Sequence, residues 1–265
     1  MITDEEKIRY LMLTLMKGVG PVTQNALLDS CSCINNCFEA CYDDLVSLYT
    51  AKLIGKKKIS SFIEQRQDMD IRNRAEEILE VSRTLGIDVV TREDVAFPVR
   101  FKNISDIPVV LYMKGSLMIN EYESSAGIVG ARRCTKEGKG KAIELATSAV
   151  SHGSAVISGM AKGIDSYAHT AAIKSGGYTI AVLGNGVDIC YPKEHDRLYE
   201  EIARCGCVLS EYPPGTMPRE YNFPRRNRLI AALSDTLYVV DAGRHSGTET
   251  TIESSRRYGR QVIVV

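Results

Sequence analysis

Three arginines and an asparagine stand together at the start of an apolar segment. The segment NFPRRNRLIAAL, residues 222–233, carries Arg225, Arg226, Asn227 and Arg228 immediately before the run LIAAL. Charged side chains are rarely buried without a partner, so their place at the mouth of a core helix requires an explanation. A guanidinium group can donate two parallel hydrogen bonds to a phosphate. The spacing therefore predicts an anion-binding site.

Further basic residues follow other apolar runs. Arg132 and Arg133 come directly after AGIVG, and Lys162 lies in the loop SGMAKGID. Glycine lets the backbone approach a ligand, and the N-terminus of the next helix favours an anion. The runs in question are followed by GARRCT, SGMAKGID, GNGVDICYP, SEYPPG and GRHSGTET. Five such loops at one edge of a sheet predict a phosphate-binding surface.

Two residues of this surface have a structural alternative. Arg228 could form an ion pair within the chain, with Asp165 or Glu211 as its partner. Phe223, just before the arginines, could stack on an unpaired base, or it could pack as a hydrophobic staple at the start of the helix. The sequence leaves both alternatives open.

Patterns typical of catalysis or of a bound cofactor are missing from the sequence. GNG lacks the third glycine of a dinucleotide-binding fingerprint, and no Walker A lysine motif is present. His169 follows Asp165 by four residues, but no nucleophile is paired with them. The eight cysteines form no C-x-x-C pair and are expected to be reduced thiols. We expect no metal, no cofactor and no catalytic residue.

The elements that would position these residues alternate regularly. From about residue 71 onward, Val- and Ile-rich runs alternate with helical segments, which is typical of parallel strands covered on both faces. This pattern predicts a doubly wound, mostly parallel α/β sheet, in which ligands bind outside the carboxyl ends of the strands. Residues 1–70 show helical periodicity, and the turn KGVGP predicts a helix-hairpin-helix. We therefore expect a small all-α domain over 1–70 and an α/β domain over 71–265.

The bulk composition does not indicate a polyanion partner. The chain has 265 residues, of which 33 are Lys or Arg and 33 are Asp or Glu, so the formal net charge is zero. A phosphate-binding surface must therefore be a local patch. The N-terminus lacks the basic region of a signal peptide, and no apolar run approaches the roughly 20 residues that span a bilayer. We expect a cytoplasmic protein without a membrane partner.

The chain resembles the DprA/Smf family of DNA-processing proteins. The resemblance covers about 97–265, and more loosely the helical N-terminus, through the motifs IPVVLYMKGSL, GARRCTKEGK, ISGMAKGIDSYAH, GGYTIAVLGNGVDICYP, LSEYPPG, NFPRRNRLIAALS and SGTETTIESSRRYGR. It implies an extended Rossmann-like sheet behind a helical SAM-like domain. It also implies cooperative binding of single-stranded DNA, a homodimer, and loading of the RecA recombinase, notably in natural transformation. Members of the family are not known as enzymes.

The resemblance also implies which residues contact DNA. They are Arg132 of the G-S/T-R motif; Ser158, Gly159, Lys162 and Gly163 of the S-G-x-A-x-G-I-D loop; Phe223, Arg225, Asn227 and Arg228 of F-P-x-R-N-R; and Ser246, Gly247 and Thr248 of the final S-G loop. The sequence departs from the family pattern at Ala131, which replaces the usual Ser or Thr. This change removes at most one hydrogen bond.

Two other functions use a similar fold. Related Rossmann-like proteins hydrolyse nucleoside monophosphates and carry the motif P-G-G-x-G-T-x-x-E. Here Gly247 and Thr248 match that motif, but Thr251 stands where the glutamate would lie, so the acid–base catalyst is missing. A sensor that binds a small nucleotide at the same loops is the second alternative.

Overall fold

The structure is a computed structural model and describes residues 2–51, 54–241 and 247–265. The chain divides into two compact units. The first comprises 1–97 and 103–111, and the second comprises 98–102 and 112–265. This division differs from a boundary at residue 70, through which a single helix runs. The division into 1–70 and 71–265 stays a prediction.

The first unit is mainly helical in its described residues. Its elements are α1 (Asp4–Leu15), α2 (Pro21–Cys31), α3 (Ile34–Glu39), α4 (Tyr42–Thr50), α5 (Lys56–Gln65), α6 (Met69–Thr84) and strand β1 (Asp88–Thr91). Helix α1 begins with a capping box, in which the side chains of Thr3 and Glu6 each accept the other's backbone N–H. The turn KGVGP then leads into α2, whose first residue is Pro21. The predicted helix–turn–helix is confirmed.

The second unit alternates strands and helices in the predicted order. Its elements are β2 (Val110–Gly115, whose first two residues belong to the first unit), β3 (Ser125–Gly130), α7 (Lys136–Ser151), β4 (Ala155–Ser158), α8 (Ile164–Lys174), β5 (Thr179–Leu183), α9 (Asp196–Cys205), β6 (Cys207–Ser210), α10 (Asn222–Leu233), β7 (Thr236–Val240), α11 (Glu249–Arg257) and β8 (Gln261–Val264). Short 3-10 helices lie at Val99–Phe101, Ile119–Glu121 and Lys193–His195.

The sheet confirms the predicted doubly wound topology. Its eight strands lie in the order β1-β2-β6-β5-β4-β3-β7-β8. Strands β3 to β8 pair in parallel, whereas β2 pairs antiparallel with β6. From β3 the chain proceeds through β4 and β5 to β6 on one side, and it then returns to β7 and β8 on the other side. The order reverses between β3 and β7, which makes this position the topological switch point.

Small side chains bring the helices close to the sheet. Right-handed crossovers place α7, α8 and α9 on one face and α10 and α11 on the other. Helices α7 and α8 present alanines four residues apart, at Ala142 and Ala146 and at Ala168 and Ala172, and all four are buried. They pack against buried Ile128 of β3 and its neighbours. Strands β4, β5 and β6 are buried along their whole length, as expected for strands that helices cover on both faces of the sheet.

Within the residues that the structure describes, no helix is long and apolar enough to cross a membrane.

Candidate nucleic-acid interface

A cavity of about 550 Å³ opens at the switch point. The ends of β3, α8, α10 and α11 contribute to it, together with the loop after β5. Its lining includes Gly130, Ala131, Arg132, Ala161, Asp165, Tyr191, Glu220, Phe223, Pro224, Arg226, Asn227, Gly247, Thr248 and Thr251. This is the place where an open α/β sheet binds ligands. Four of the five loops that the sequence predicts to converge contribute to this lining, and the loop SEYPPG does not.

Arg226 lies in the wall of the cavity and is only 5% exposed. Its Nη1 donates to the carbonyl of Gly159 at 2.7 Å and also to the carbonyl of Val182. A Cβ on Gly159 would lie 2.7–2.9 Å from the guanidinium atoms of Arg226, so a larger residue would displace that guanidinium. The guanidinium therefore ties α10 to the ends of β4 and β5.

A buried carboxylate balances this guanidinium. Asp165, at the start of α8, accepts hydrogen bonds from the backbone N–H of Gly159 at 3.1 Å and of Ala161 at 3.3 Å. Burial raises the pKa of Asp165 above its ordinary value, although the charge of Arg226 and these N–H donors oppose the rise. Burial likewise lowers the pKa of Arg226 to about 10, against the attraction of Asp165. Arg226 is thus still a cation at neutral pH.

The two neighbouring arginines have different environments. Arg228 forms a two-pronged ion pair with Glu211, with N–O distances of 2.6 and 2.7 Å and side-chain exposures of 14% and 12%. The intramolecular pair that the sequence left open for Arg228 is therefore made with Glu211. Arg225 is exposed. Its guanidinium forms no ion pair with any residue in the described ranges, and its carbonyl accepts a hydrogen bond from Arg228.

Arg132 and an aromatic pair lie at the rim of the cavity. The Arg132 guanidinium lies 5.9 Å from the centroid of the Phe223 ring, and the Arg226 guanidinium lies 6.0 Å from it. The ring of Tyr191 stacks on Phe223 with centroids 5.6 Å apart and an angle of 26° between the planes. A Cβ on Gly184 would lie 2.8 Å from Phe223 Cδ1, so only glycine admits the ring so closely.

The loop between β4 and α8 carries four of the predicted contact residues. Ser158 is buried and donates to the carbonyl of Ile128 at 2.6 Å, and Gly159 is buried beside Arg226. Gly163 has a positive φ of 77°, and a Cβ there would lie 2.7 Å from the carbonyl oxygen of Arg132. Lys162 is exposed and pairs with Glu194. Lys162 thus faces solvent. Ser158 and Gly163 lie against β3 and the residues that follow it, and Gly159 lies against Arg226 of α10.

The loop before α11 is tied to α10 by an amide. Asn227 Nδ2 donates at 3.0 Å to the carbonyl of Gly247 and at 3.0 Å to Thr250 Oγ1. Thr248 is buried and precedes the first residue of α11. Ser246 lies outside the described residues. Asn227 therefore positions the final glycine loop beside the cavity.

Sequence reasoning grouped Arg226 with the anion-binding arginines, whereas the structure buries it, and it did not single out Tyr191. Arg226 could have been placed by periodicity, because Leu229, Ile230 and Leu233 follow it at i+3, i+4 and i+7 on the buried face of α10. Tyr191 gave no such signal, since its loop is irregular and its contact with Phe223 is long-range. In the described part of the chain no three His, Cys, Asp or Glu side chains are grouped closely enough to hold a metal ion.

The fold is that of a Rossmann-like α/β protein, and a cavity lined in part by Arg132 and Arg226 opens at the switch point of its sheet. A sequence profile described as DNA recombination-mediator protein A matches residues 88–265. The chain therefore belongs to the DNA recombination-mediator protein A family.

Individual relatives agree with this assignment. Protein Smf of Synechocystis is 33% identical over 98% of this chain and 65% of its own length. The crystal structure of DNA processing protein A from Streptococcus pneumoniae superposes with a TM-score of 0.77 at 31% identity, covering all of this chain and 87% of that one. DNA processing protein A from Helicobacter pylori, which has a described single-stranded DNA binding mode, gives a TM-score of 0.61 at 31% identity over 67% of this chain and 80% of that one. The chain spans somewhat less than two thirds of the Synechocystis relative.

Proposed function

We propose that the chain binds single-stranded DNA at the switch-point cavity and acts as a recombination mediator. The observation that carries the proposal is the pair Arg132 and Arg225. Both are exposed, one lines the cavity and the other lies on the first turn of α10, and neither has a carboxylate partner among the described residues. Such guanidinium groups are suited to phosphate oxygens. Family membership and the similarity to the H. pylori protein support the same ligand.

The remaining predicted contacts take two roles in this proposal. Lys162 binds a phosphate directly, because its pair with Glu194 is solvent-exposed and such pairs contribute little free energy. Gly163, Gly247 and Thr248 contribute backbone groups beside the bound DNA strand. Ser158, Gly159, Asn227 and Arg228 position the loops through the hydrogen bonds and ion pair described above. Phe223 supports the guanidinium of Arg132.

The preferred DNA is a single strand with little sequence preference. Arginine and backbone contacts to phosphate carry no sequence information. Helices α8, α10 and α11 border the cavity but pack on the sheet, so none of them is free to enter a major groove. A flexible strand can follow the loops of a twisted sheet edge, whereas a stiff duplex bends only at a cost.

Fluorescence anisotropy of one labelled oligonucleotide, as a single strand and as a duplex, tests this function. Arg132→Ala should weaken single-strand binding about tenfold, which corresponds to about 1.4 kcal/mol for one charged hydrogen bond at an exposed site. Arg204→Ala is the matched control, because Arg204 is an exposed arginine in the last turn of α9, at the opposite edge of the sheet. Equal or tighter duplex binding would refute the single-strand proposal. Normal binding by a correctly folded Arg132→Ala variant would refute the site.

The wider role in recombination rests on the family. We expect the chain to act as a homodimer and to deliver the bound strand to RecA recombinase. Light scattering tests the oligomeric state. A strand-exchange assay with single-strand-binding protein present tests the delivery, with Arg132→Ala as the variant that should fail to stimulate RecA. If this variant stimulates RecA at a concentration at which it does not bind DNA, then delivery to RecA does not depend on DNA binding at this site.

The same cavity suggests a second candidate, the binding of a free nucleotide. A volume of about 550 Å³ lies in the usual range for small-molecule sites. Thr251 is buried at the position of the hydrolase glutamate, and a threonine supplies no acid–base catalyst, so we propose binding without hydrolysis. Competition between nucleoside monophosphates and a labelled oligonucleotide tests this candidate. Release of free base by the pure protein would contradict the assignment of a non-enzymatic role.

A further inference from the structure

Phe223, the aromatic residue of the F-P-x-R-N-R motif, is already surrounded by partners. Its ring stacks on Tyr191, and the guanidinium groups of Arg132 and Arg226 lie 5.9 and 6.0 Å from its centroid. Gly184 lies against its edge. A nucleobase would have to displace one of these groups to stack on Phe223. The ring is therefore poorly placed to receive a base.

Tyr191 is the aromatic residue of this cluster that faces solvent. It is 44% exposed and lines the cavity, and Phe223 is its one ring partner within the described residues. One face of an aromatic ring can stack on Phe223 while the opposite face receives a planar ligand. The Tyr191 ring thus offers a surface of the right shape beside the exposed guanidinium of Arg132.

The loop that carries Tyr191 is anchored on both sides of it. Asn185 is 1% exposed, and its Nδ2 donates to the carbonyls of Gly186 at 2.9 Å and Ile189 at 2.7 Å. Pro192, the next residue after Tyr191, is buried, and its carbonyl accepts a hydrogen bond from the Cys190 thiol. An anchored ring loses little conformational entropy when a base stacks on it.

We infer that Tyr191 is the base-stacking residue of the site. In the bound state a base of the strand, Tyr191 and Phe223 form successive layers, and Arg132 holds an adjacent phosphate. This inference rests on the proposed binding of single-stranded DNA and adds a recognition residue to it. Every base has a flat face, so the contact selects unpaired bases over a duplex without selecting a sequence.

The test compares an oligothymidine of about 10 nucleotides with an abasic deoxyribose-phosphate chain of the same length. Tyr191→Ala should weaken oligothymidine binding roughly 5- to 150-fold, the range expected for the loss of one stacked base. It should leave binding of the abasic chain unchanged. Tyr191→Phe should restore oligothymidine binding. Tyr49→Ala is the matched control, because Tyr49 has a similar exposure of 42% and lies in α4 of the helical unit.

The outcomes separate this inference from the proposed function. If Tyr191→Ala weakens both ligands equally, the ring only supports Phe223 and Arg132, and the stacking role is wrong. If it weakens neither while Arg132→Ala weakens both, the site stands and the stacking residue is elsewhere. If Arg132→Ala also changes nothing, the proposed function fails as well.

A spectroscopic signal gives an independent check. The chain contains no tryptophan, so Tyr191→Trp would place a single indole reporter at the position in question. Oligothymidine should quench its fluorescence, and the abasic chain should bind without quenching it. Quenching of equal size by both ligands would contradict direct stacking.

Discussion

Replacing Arg226 with methionine should destabilise the second unit in a pH-dependent way. The change keeps most of the side-chain volume but removes the cation that faces Asp165. It also removes the two hydrogen bonds to the carbonyls of Gly159 and Val182. At about 1 kcal/mol each, these bonds account for a loss of about 2 kcal/mol that is independent of pH.

The pH-dependent part comes from Asp165. Its pKa in the folded protein is already raised by burial, and without Arg226 it should rise further. A raised carboxyl pKa favours the protonated form in the folded state, so its stabilising effect is present at low pH and is lost as pH rises through the folded-state pKa. Because the rise is larger in Arg226→Met, the deficit relative to the parent protein should grow with pH. It should reach about 3–5 kcal/mol, the cost of a buried charge without its partner.

Urea unfolding followed by circular dichroism across about pH 4 to 9 measures this deficit. Asp165→Asn in the Arg226→Met background should return the deficit at high pH to about 2 kcal/mol, because the neutral amide needs no counter-charge. A deficit that is the same at every pH, or that Asp165→Asn leaves unchanged, would refute the electrostatic account. Arg204→Ala is again the control for a general effect of lost positive charge.

Three further outcomes follow from the site. Gly159→Ala should lower the free energy of unfolding by about 1–3 kcal/mol, because its Cβ would overlap the guanidinium of Arg226; a fully stable variant with unchanged DNA affinity would contradict the close contact. Glu211→Gln should weaken oligonucleotide binding, measured by anisotropy, without changing the log–log slope of affinity against salt, because the Glu211–Arg228 ion pair positions the loop; a steeper slope would contradict this positioning role. Lys162→Ala should reduce that slope by about 0.7, and an unaltered slope would show that Lys162 binds no phosphate.

The sheet could be predicted from sequence because its strands are continuous Val- and Ile-rich runs and its helices follow them in strict alternation. The convergence of the loops followed from topology, since the carboxyl ends of parallel strands share an edge. The environment of each arginine side chain could not be predicted in this way. Whether Arg226 is buried and Arg228 is paired depends on Gly159, Asp165 and Glu211, which are distant in sequence and become neighbours only after folding.

The stacking partner of Phe223 also could not be predicted from the sequence. Phe223 could be recognised as an aromatic residue beside arginines, but its contact with Tyr191 spans 32 positions between a loop and a helix. No periodic pattern links such positions. The helix-hairpin-helix was easier, because a proline at the first turn of α2 and the glycines before it are local signals.

The carboxylates around the cavity have a kinetic consequence. Glu194 pairs with Lys162, Glu211 pairs with Arg228, and Glu220 lines the opening, so positive and negative charges alternate over short distances. At physiological ionic strength electrostatic fields are screened over about 8 Å. These alternating charges should therefore attract a distant DNA strand only weakly. A strand should arrive by ordinary diffusion, and salt should act mainly on how long it stays. The bases of an intact duplex are stacked inside the helix, so a duplex could not stack on Tyr191 and should dissociate faster than a single strand.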